Sequence, residues 1–250
     1  MFLDRAVFIS KYKTNLVLIA LFLLTLGYAT VKTSYHEDKM VLGYAVRNKV
    51  IVVDAGHGGK DPGAVRGNVK EKDITLSISK KLDRLLGQAG AVVIMTRETD
   101  TDLAGEDFRG TMRERKRKDL ATRVDKANKA KADLYISIHA NADVSPRWSG
   151  AQTFYCGSSE KSRCLAEAIQ QELTRTLGNT KRKAKTGSYY ISDNTEMTAV
   201  IVEVGFLSNP EEASLLTNDE YQNKVAQAIF SGIAKAEEQN QPATSWKMTP

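Results

Sequence analysis

Four short apolar runs, separated by segments with helical spacing, constrain the fold of this chain more than any other feature. KVIVVDAG (49–56), AVVIMT (91–96), DLYISIHA (133–140) and TAVIVEVGF (198–206) are rich in β-branched residues, the pattern of strands buried on both faces. After the first run Ile74, Ile78, Leu82 and Leu85 recur at helical spacing over about 70–88, and Gly87 and Gly90 stop that helix. A basic segment over 113–131 reads as a second helix, and Leu165, Ile169, Leu173 and Leu177 mark a third. Val225, Ile229 and Ile233 share one face of a closing helix over 219–237. AQTFYC (151–156) reads as a further strand, SYYIS (188–192) as a weak one, and 97–112 as a long surface loop. Strands alternating with helices of this length predict one α/β domain: a mostly parallel or mixed central sheet flanked by helices on both faces. The 250 residues suit a single such domain, placed here at 49–238, after a linker over 32–48 and before a flexible tail over 239–250.

The first 31 residues carry an address. Residues 14–31 hold no charge and would span roughly 27 Å as a helix, close to the hydrocarbon thickness of a bilayer. Arg5, Lys11 and Lys13 precede the run, which places the amino terminus in the cytoplasm and the rest beyond the membrane. The run reads as a signal-anchor, with a cleavable signal peptide as the alternative because Gly27 and Ala29 form a small-x-small pair.

A net charge of +6 suits an anionic partner, yet nucleic acid is not expected behind a membrane and without aromatics interleaved among the basic residues. Arg115, Lys116, Arg117, Lys118, Lys181, Arg182 and Lys183 form two basic stretches. They read as solvated faces, or as contacts for anionic wall polymer or for an accessory secreted or lipoprotein activator. Two cysteines, Cys156 and Cys164, lack metal-site spacing and read as core thiols or one bridge.

Chemistry is expected where open α/β sheets place ligands, at the carboxyl ends of the strands. His57 follows the first strand, His139 ends the third, and Glu203 lies near the end of the last. Two of the chain's three histidines therefore reach one edge, which suggests a divalent metal, zinc first of all. A catalytic zinc needs a third protein ligand. Glu71, at the start of the helix after a glycine-rich loop, is the leading candidate, with Asp61 and Asp73 as rivals. Glu71 could equally be an acid favouring a helix start. Glu203 inside an apolar strand is costly to bury unpaired, unless a nearby cation compensates it. A glutamate beside the metal could then carry a proton from water to a leaving amine. An edge glutamate facing solvent is the plainer reading. Asp54 is a candidate for orienting a ligand histidine and Asn141 for holding substrate, while Arg97 and Arg123 read as structural ion-pair partners. The loop is no Walker phosphate loop, since Asp54 and Asp61 stand where that pattern needs glycine and serine or threonine.

VVDAGHGGKDPGAV, the following KEKD, ISIHANA and IVEVGFLSN, in that order, closely resemble the zinc-dependent N-acetylmuramoyl-L-alanine amidases of the peptidoglycan amidase type 3 family. The resemblance covers roughly 49–237 and implies a single α/β domain binding one zinc through His57, Glu71 and His139, with Glu203 catalytic. IMTRETDTDLA, RERKRKDLATRV, RWSGAQTFYCG and NTKRKAK resemble the germination-specific subclass. That subclass implies action outside the cytoplasm on spore-cortex peptidoglycan, as the first step toward muramic-δ-lactam. A non-catalytic wall-binding module, or another zinc hydrolase of wall material such as a peptidase or deacetylase, remain the alternatives.

Overall fold

The computed structural model describes residue 19, residues 21–28 and residues 44–240, and the chain divides into two units, 1–41 and 42–250. In the first unit residues 21–28 are helical with exposed side chains. Otherwise the expected anchor and most of the expected linker lie outside the described residues, as does the tail beyond 240. No helix among the described residues is long and apolar enough to cross a membrane.

The second unit is built on a six-stranded sheet. Its strands are β1 (Val50–Ala55), β4 (Val92–Met95), β5 (Leu134–Asn141), β6 (Gln152–Tyr155), β7 (Lys185–Thr186) and β8 (Thr198–Phe206), in the order β4-β1-β5-β8-β6-β7. A two-stranded pair, β2 (Val65–Arg66) and β3 (Val69–Lys70), stands apart. All neighbours in the large sheet run parallel except β6 against β8. The helices are α1 (Glu71–Gln88), α2 (Met112–Lys129), α3 (Glu160–Leu177), α4 (Tyr190–Asn194), α5 (Pro210–Leu216) and α6 (Asp219–Asn240).

Strand alternation sorts the side chains onto two faces. Ile51, Val53, Ile136, Ile138, Val200, Val202 and Val204 pack with α1, α3 and α6 in the larger core, where Ile78, Leu82, Ile169, Leu173, Ile229 and Ile233 are fully buried or nearly so. The opposite face carries Val52, Tyr135 and Ala199 against Val124 and Ala127 of α2 and Ile191 of α4. The expected α/β layering with helices on both faces is therefore present.

Differences are local. SYYIS, expected as a strand, turns instead into α4, which seats Ile191 in the second core; a strand there would leave that apolar side without cover. Ahead of the first strand, Ala45 and Val46 are buried and Val46 joins the larger core. Cys156 and Cys164 are free and partly exposed rather than buried or bridged.

Candidate active site

The carboxyl ends of β1, β5 and β8 meet at one edge, and the register there puts site residues side by side. Asp54 pairs with Ser137, and His139 with Glu203. The β5–β8 register shifts between His139 and Asn141, so the ladder breaks where the histidine leaves the sheet.

His57 reaches the site on a turn that its own backbone disfavours. Its φ is 60°, in the left-handed region that a residue with a Cβ rarely adopts. Two arginines hold the turn. Arg123 donates to the His57 carbonyl at 2.7 Å, to the Ala55 carbonyl at 2.7 Å and to Asp54 Oδ1 at 2.6 Å. Arg97 donates to the carbonyls of Ala55 and Gly56, both at 2.9 Å. Arg123 pairs also with Asp119 and is the ion-pair partner the sequence suggested, whereas Arg97 works through carbonyl oxygens. Asp54 is hydrogen-bonded to neither His57 nor His139. It accepts from Thr96, Ser137 and Arg123 and reaches His57 only through that arginine. Burial drives its carboxyl upward, but the Arg123 charge and the Ser137 hydroxyl outweigh that and hold it at about 2.

Glu71 begins α1 and is pinned from both sides. Oε2 accepts from the Ala64 N–H at 2.8 Å, and Oε1 from the Ala140 N–H at 3.0 Å. That leaves Oε1 2.9 Å from His139 Nδ1 and 3.1 Å from His57 Nε2. The two imidazoles meet edge to face with centroids 4.9 Å apart. One ligand atom from each of His57, Glu71 and His139 lies within 4.8 Å of the others, forming the one such metal-capable group among the described residues. Asp73 is exposed on α1, outside this group. Asp61 is outside it too, with Oδ2 2.8 Å from His57 Nδ1 on the far side of the ring. Burial opposes charge on His57, yet Asp61 and Glu71 outweigh it and raise the imidazole to about 9. Burial likewise opposes charge on Glu71, and the two imidazoles hold it well below the usual carboxylate range. The two carboxylates thus favour a proton on His57, and a cation taken up by this group would have to displace it, since an imidazole ligates only in its neutral form.

Glu203 faces the same cleft from β8. Its Oε2 is buried and is the one carboxylate oxygen among the described residues buried without a hydrogen-bond partner. Burial pushes the carboxyl up to about 7, with His139 pulling it down and Glu71 pushing it further up. The cleft, about 230 Å3, is walled by Leu120, Tyr189, Tyr190, Ile191 and Ile201, with Lys116 at its side. Asn141 pairs with Phe206 beyond the register shift and accepts from the Leu207 N–H through its carbonyl; it is not among the residues lining the cleft.

Several supporting residues escaped sequence reasoning. Gly56 lies so close to the His139 ring that a Cβ would run into it. At Gly63, with φ of 66°, a Cβ would stand 2.5 Å from Glu71 Oε2 and 2.7 Å from His57 Cδ2. The glycines promised loop freedom; their second role as clearance for the His57, Glu71 and His139 side chains needs coordinates. Tyr189 and Tyr190 were hidden in the segment read as a strand.

Comparison with known proteins agrees with this geometry. A family profile described as N-acetylmuramoyl-L-alanine amidase matches residues 51–235. The germination-specific N-acetylmuramoyl-L-alanine amidase of Bacillus subtilis is 50% identical over 188 residues, covering 75% of this chain and 79% of that protein. Among solved structures, the CwlD amidase of Clostridioides difficile, in complex with the GerS lipoprotein, is 40% identical with a TM-score of 0.74, covering 76% of this chain and 98% of that one. The catalytic domain of CwlV, an N-acetylmuramoyl-L-alanine amidase from Bacillus (Paenibacillus) polymyxa var. colistinus, is 35% identical with a TM-score of 0.65, covering 75% and 97% of the two chains. With every strand and helix of the folded unit reached by that profile and three strand ends converging on one cleft, the wall-binding and peptidase readings give way: this chain belongs to the N-acetylmuramoyl-L-alanine amidase family.

Proposed function

We propose that the chain is a zinc amidase cleaving the bond between the lactyl group of N-acetylmuramic acid and the L-alanine of the stem peptide. The observation that carries the mechanism is the unpartnered, buried Glu203 Oε2 beside the His57–Glu71–His139 group. Two imidazole nitrogens and one carboxylate oxygen are the donor types of a catalytic zinc site with a fourth position left open, so the residues fit that ion. When bound, zinc supplies a Lewis acid for the scissile carbonyl and lowers the pKa of water toward neutrality.

The remaining work falls to the chain. His57 Nε2, Glu71 Oε1 and His139 Nδ1 are the atoms turned toward the common focus. Glu203 takes the proton of the attacking water at Oε2, which no other donor occupies, and delivers it to the alanine nitrogen as the amide bond breaks. The apolar walls around Ile191 and Ile201 limit competing water and strengthen the carboxyl's interaction with the reacting atoms.

Location and biological role follow from the relatives and from residues 1–31. Similarity to the germination-specific amidase supports action on spore-cortex peptidoglycan outside the cytoplasm, and the charge-free run over 14–31 supports a membrane tether. The lipoprotein bound to the Clostridioides difficile relative supports an accessory lipoprotein for this chain as well. Metal analysis of the purified protein, joined to mass spectrometry of digested peptidoglycan, tests the central reading. We expect one zinc per chain and released peptides that begin with L-alanine. Products cut within the peptide, or glycan that has lost only acetyl groups, would overturn it. Glu203→Gln is expected to keep its zinc and lose turnover by about 10²- to 10⁴-fold.

A further inference from the structure

Asp61 is placed for a task other than ligation. Its Oδ2 lies 2.8 Å from His57 Nδ1, while the opposite ring nitrogen, Nε2, faces Glu71 Oε1 at 3.1 Å. The loop is folded to keep it there. Gly58 and Asp61 exchange both backbone hydrogen bonds at 3.0 Å, closing the turn, and Asp61 Oδ1 accepts from the Gly63 N–H at 3.1 Å. Lys116 Nζ stands 3.5 Å from Oδ2, so the carboxylate is flanked by a cation on its solvent side. An imidazole has two nitrogens of similar affinity for a metal, and a rotation about its side-chain torsion exchanges them. Here the backbone of His57 is already in a disfavoured conformation, so the ring needs an anchor of its own.

We infer that Asp61 is a positioning residue: it accepts the Nδ1–H of His57, fixes that tautomer, and presents Nε2 as the metal-facing atom. The inference rests on the zinc reading above. Lost anchoring therefore shows first as weaker metal binding and only second as slower turnover.

The test is a zinc titration against a chromophoric chelator for the wild type and for Asp61→Ala, Asp61→Asn and His57→Ala. Far-UV circular dichroism and thermal melts confirm folding, and ¹⁵N–¹H correlation of the imidazole resonances is recorded in the zinc-loaded state. The expected result is a zinc Kd raised about 10- to 100-fold in Asp61→Ala and by less in Asp61→Asn, whose amide oxygen can still accept from Nδ1. At saturating zinc, kcat should recover to near the wild-type value. The wild-type spectrum should show His57 protonated at Nδ1, and Asp61→Ala should show a mixture of tautomers or exchange broadening. An unchanged zinc Kd in a folded Asp61→Ala, or a wild-type His57 protonated at Nε2, overturns the inference while leaving the zinc site intact. A His57→Ala variant that binds zinc as tightly as the wild type overturns the zinc assignment itself, and the role of Asp61 with it.

Discussion

His57 shows how much a single side chain depends on residues far away in sequence. Its left-handed backbone is held by Arg123 from α2, its ring by Asp61 and Glu71, and its clearance by the missing Cβ of Gly63. Gly63→Ala places a methyl carbon 2.5 Å from Glu71 Oε2 and adds strain at a φ of 66°. We expect it to lose zinc affinity by at least tenfold while the distant core stays folded, read by metal competition alongside a thermal melt. The two histidines of the candidate site were legible in the sequence, because histidine is rare in this chain and both copies in the domain fall at strand ends. Glu71 was separable from Asp61 and Asp73 only by resemblance. A loop of four glycines permits several foldings, and no local rule says which carboxylate it carries inward.

At the scale of elements, α2 ties the second core to the turn that carries His57. Its amino terminus is fixed by a capping box, in which Thr111 accepts from the Glu114 N–H and Glu114 from the Thr111 N–H. Its inner face delivers Arg123, 1% exposed, against Asp54, 0% exposed. Removing one member of a buried pair strands the other charge, so Arg123→Met is expected to cost about 3–5 kcal/mol at neutral pH, measured by urea unfolding. Acid should shrink that difference. The folded Asp54 carboxyl sits at about 2, below the 3.8 of an unfolded aspartate, so its contribution is present above that unfolded value and fades as pH falls toward 2. The shift corresponds to on the order of 2 kcal/mol in the wild type, and the variant should lack this part of the acid sensitivity. Sequence periodicity located α1, α3 and α6, since each has an apolar stripe, whereas α2 was read from its run of charged residues. It missed α4, whose five residues are too few for a stripe and whose aromatic and β-branched composition mimics a strand. It also missed β2, β3 and β7, which are two residues each and carry no period at all.

For the whole molecule, we propose that the amidase domain is independent of the amino-terminal run, with its true edge near residue 44 rather than 49. Val46 is fully buried in the larger core, and the Asn48 N–H donates to the Gly90 carbonyl at 2.9 Å. A chain of residues 44–240 should melt cooperatively and cleave peptidoglycan. A chain starting at residue 49 should be less stable by about 2 kcal/mol, the scale of one buried valine, as read by denaturant unfolding. Equal stability would show that this segment merely rests on the surface. The sequence left the boundary open, because the apolar run MVLGYAV at 40–46 is short, is broken by Gly43 and carries neither a helical nor a strand period.

Because His139 and Glu203 stand opposite each other on neighbouring strands, the reaction tolerates change in some connections and forbids it in others. One residue gained or lost between Leu134 and Ser137, or between Thr198 and Val202, would turn the imidazole or the carboxyl toward the helices beneath the sheet. The same gain within residues 142–150 would lengthen only a surface connection. Natural length drift in descendants of this chain should accordingly gather after the imidazole and never ahead of it, so that evolution can reshape the rim of the cleft while the spacing of its reactive atoms is inherited unaltered.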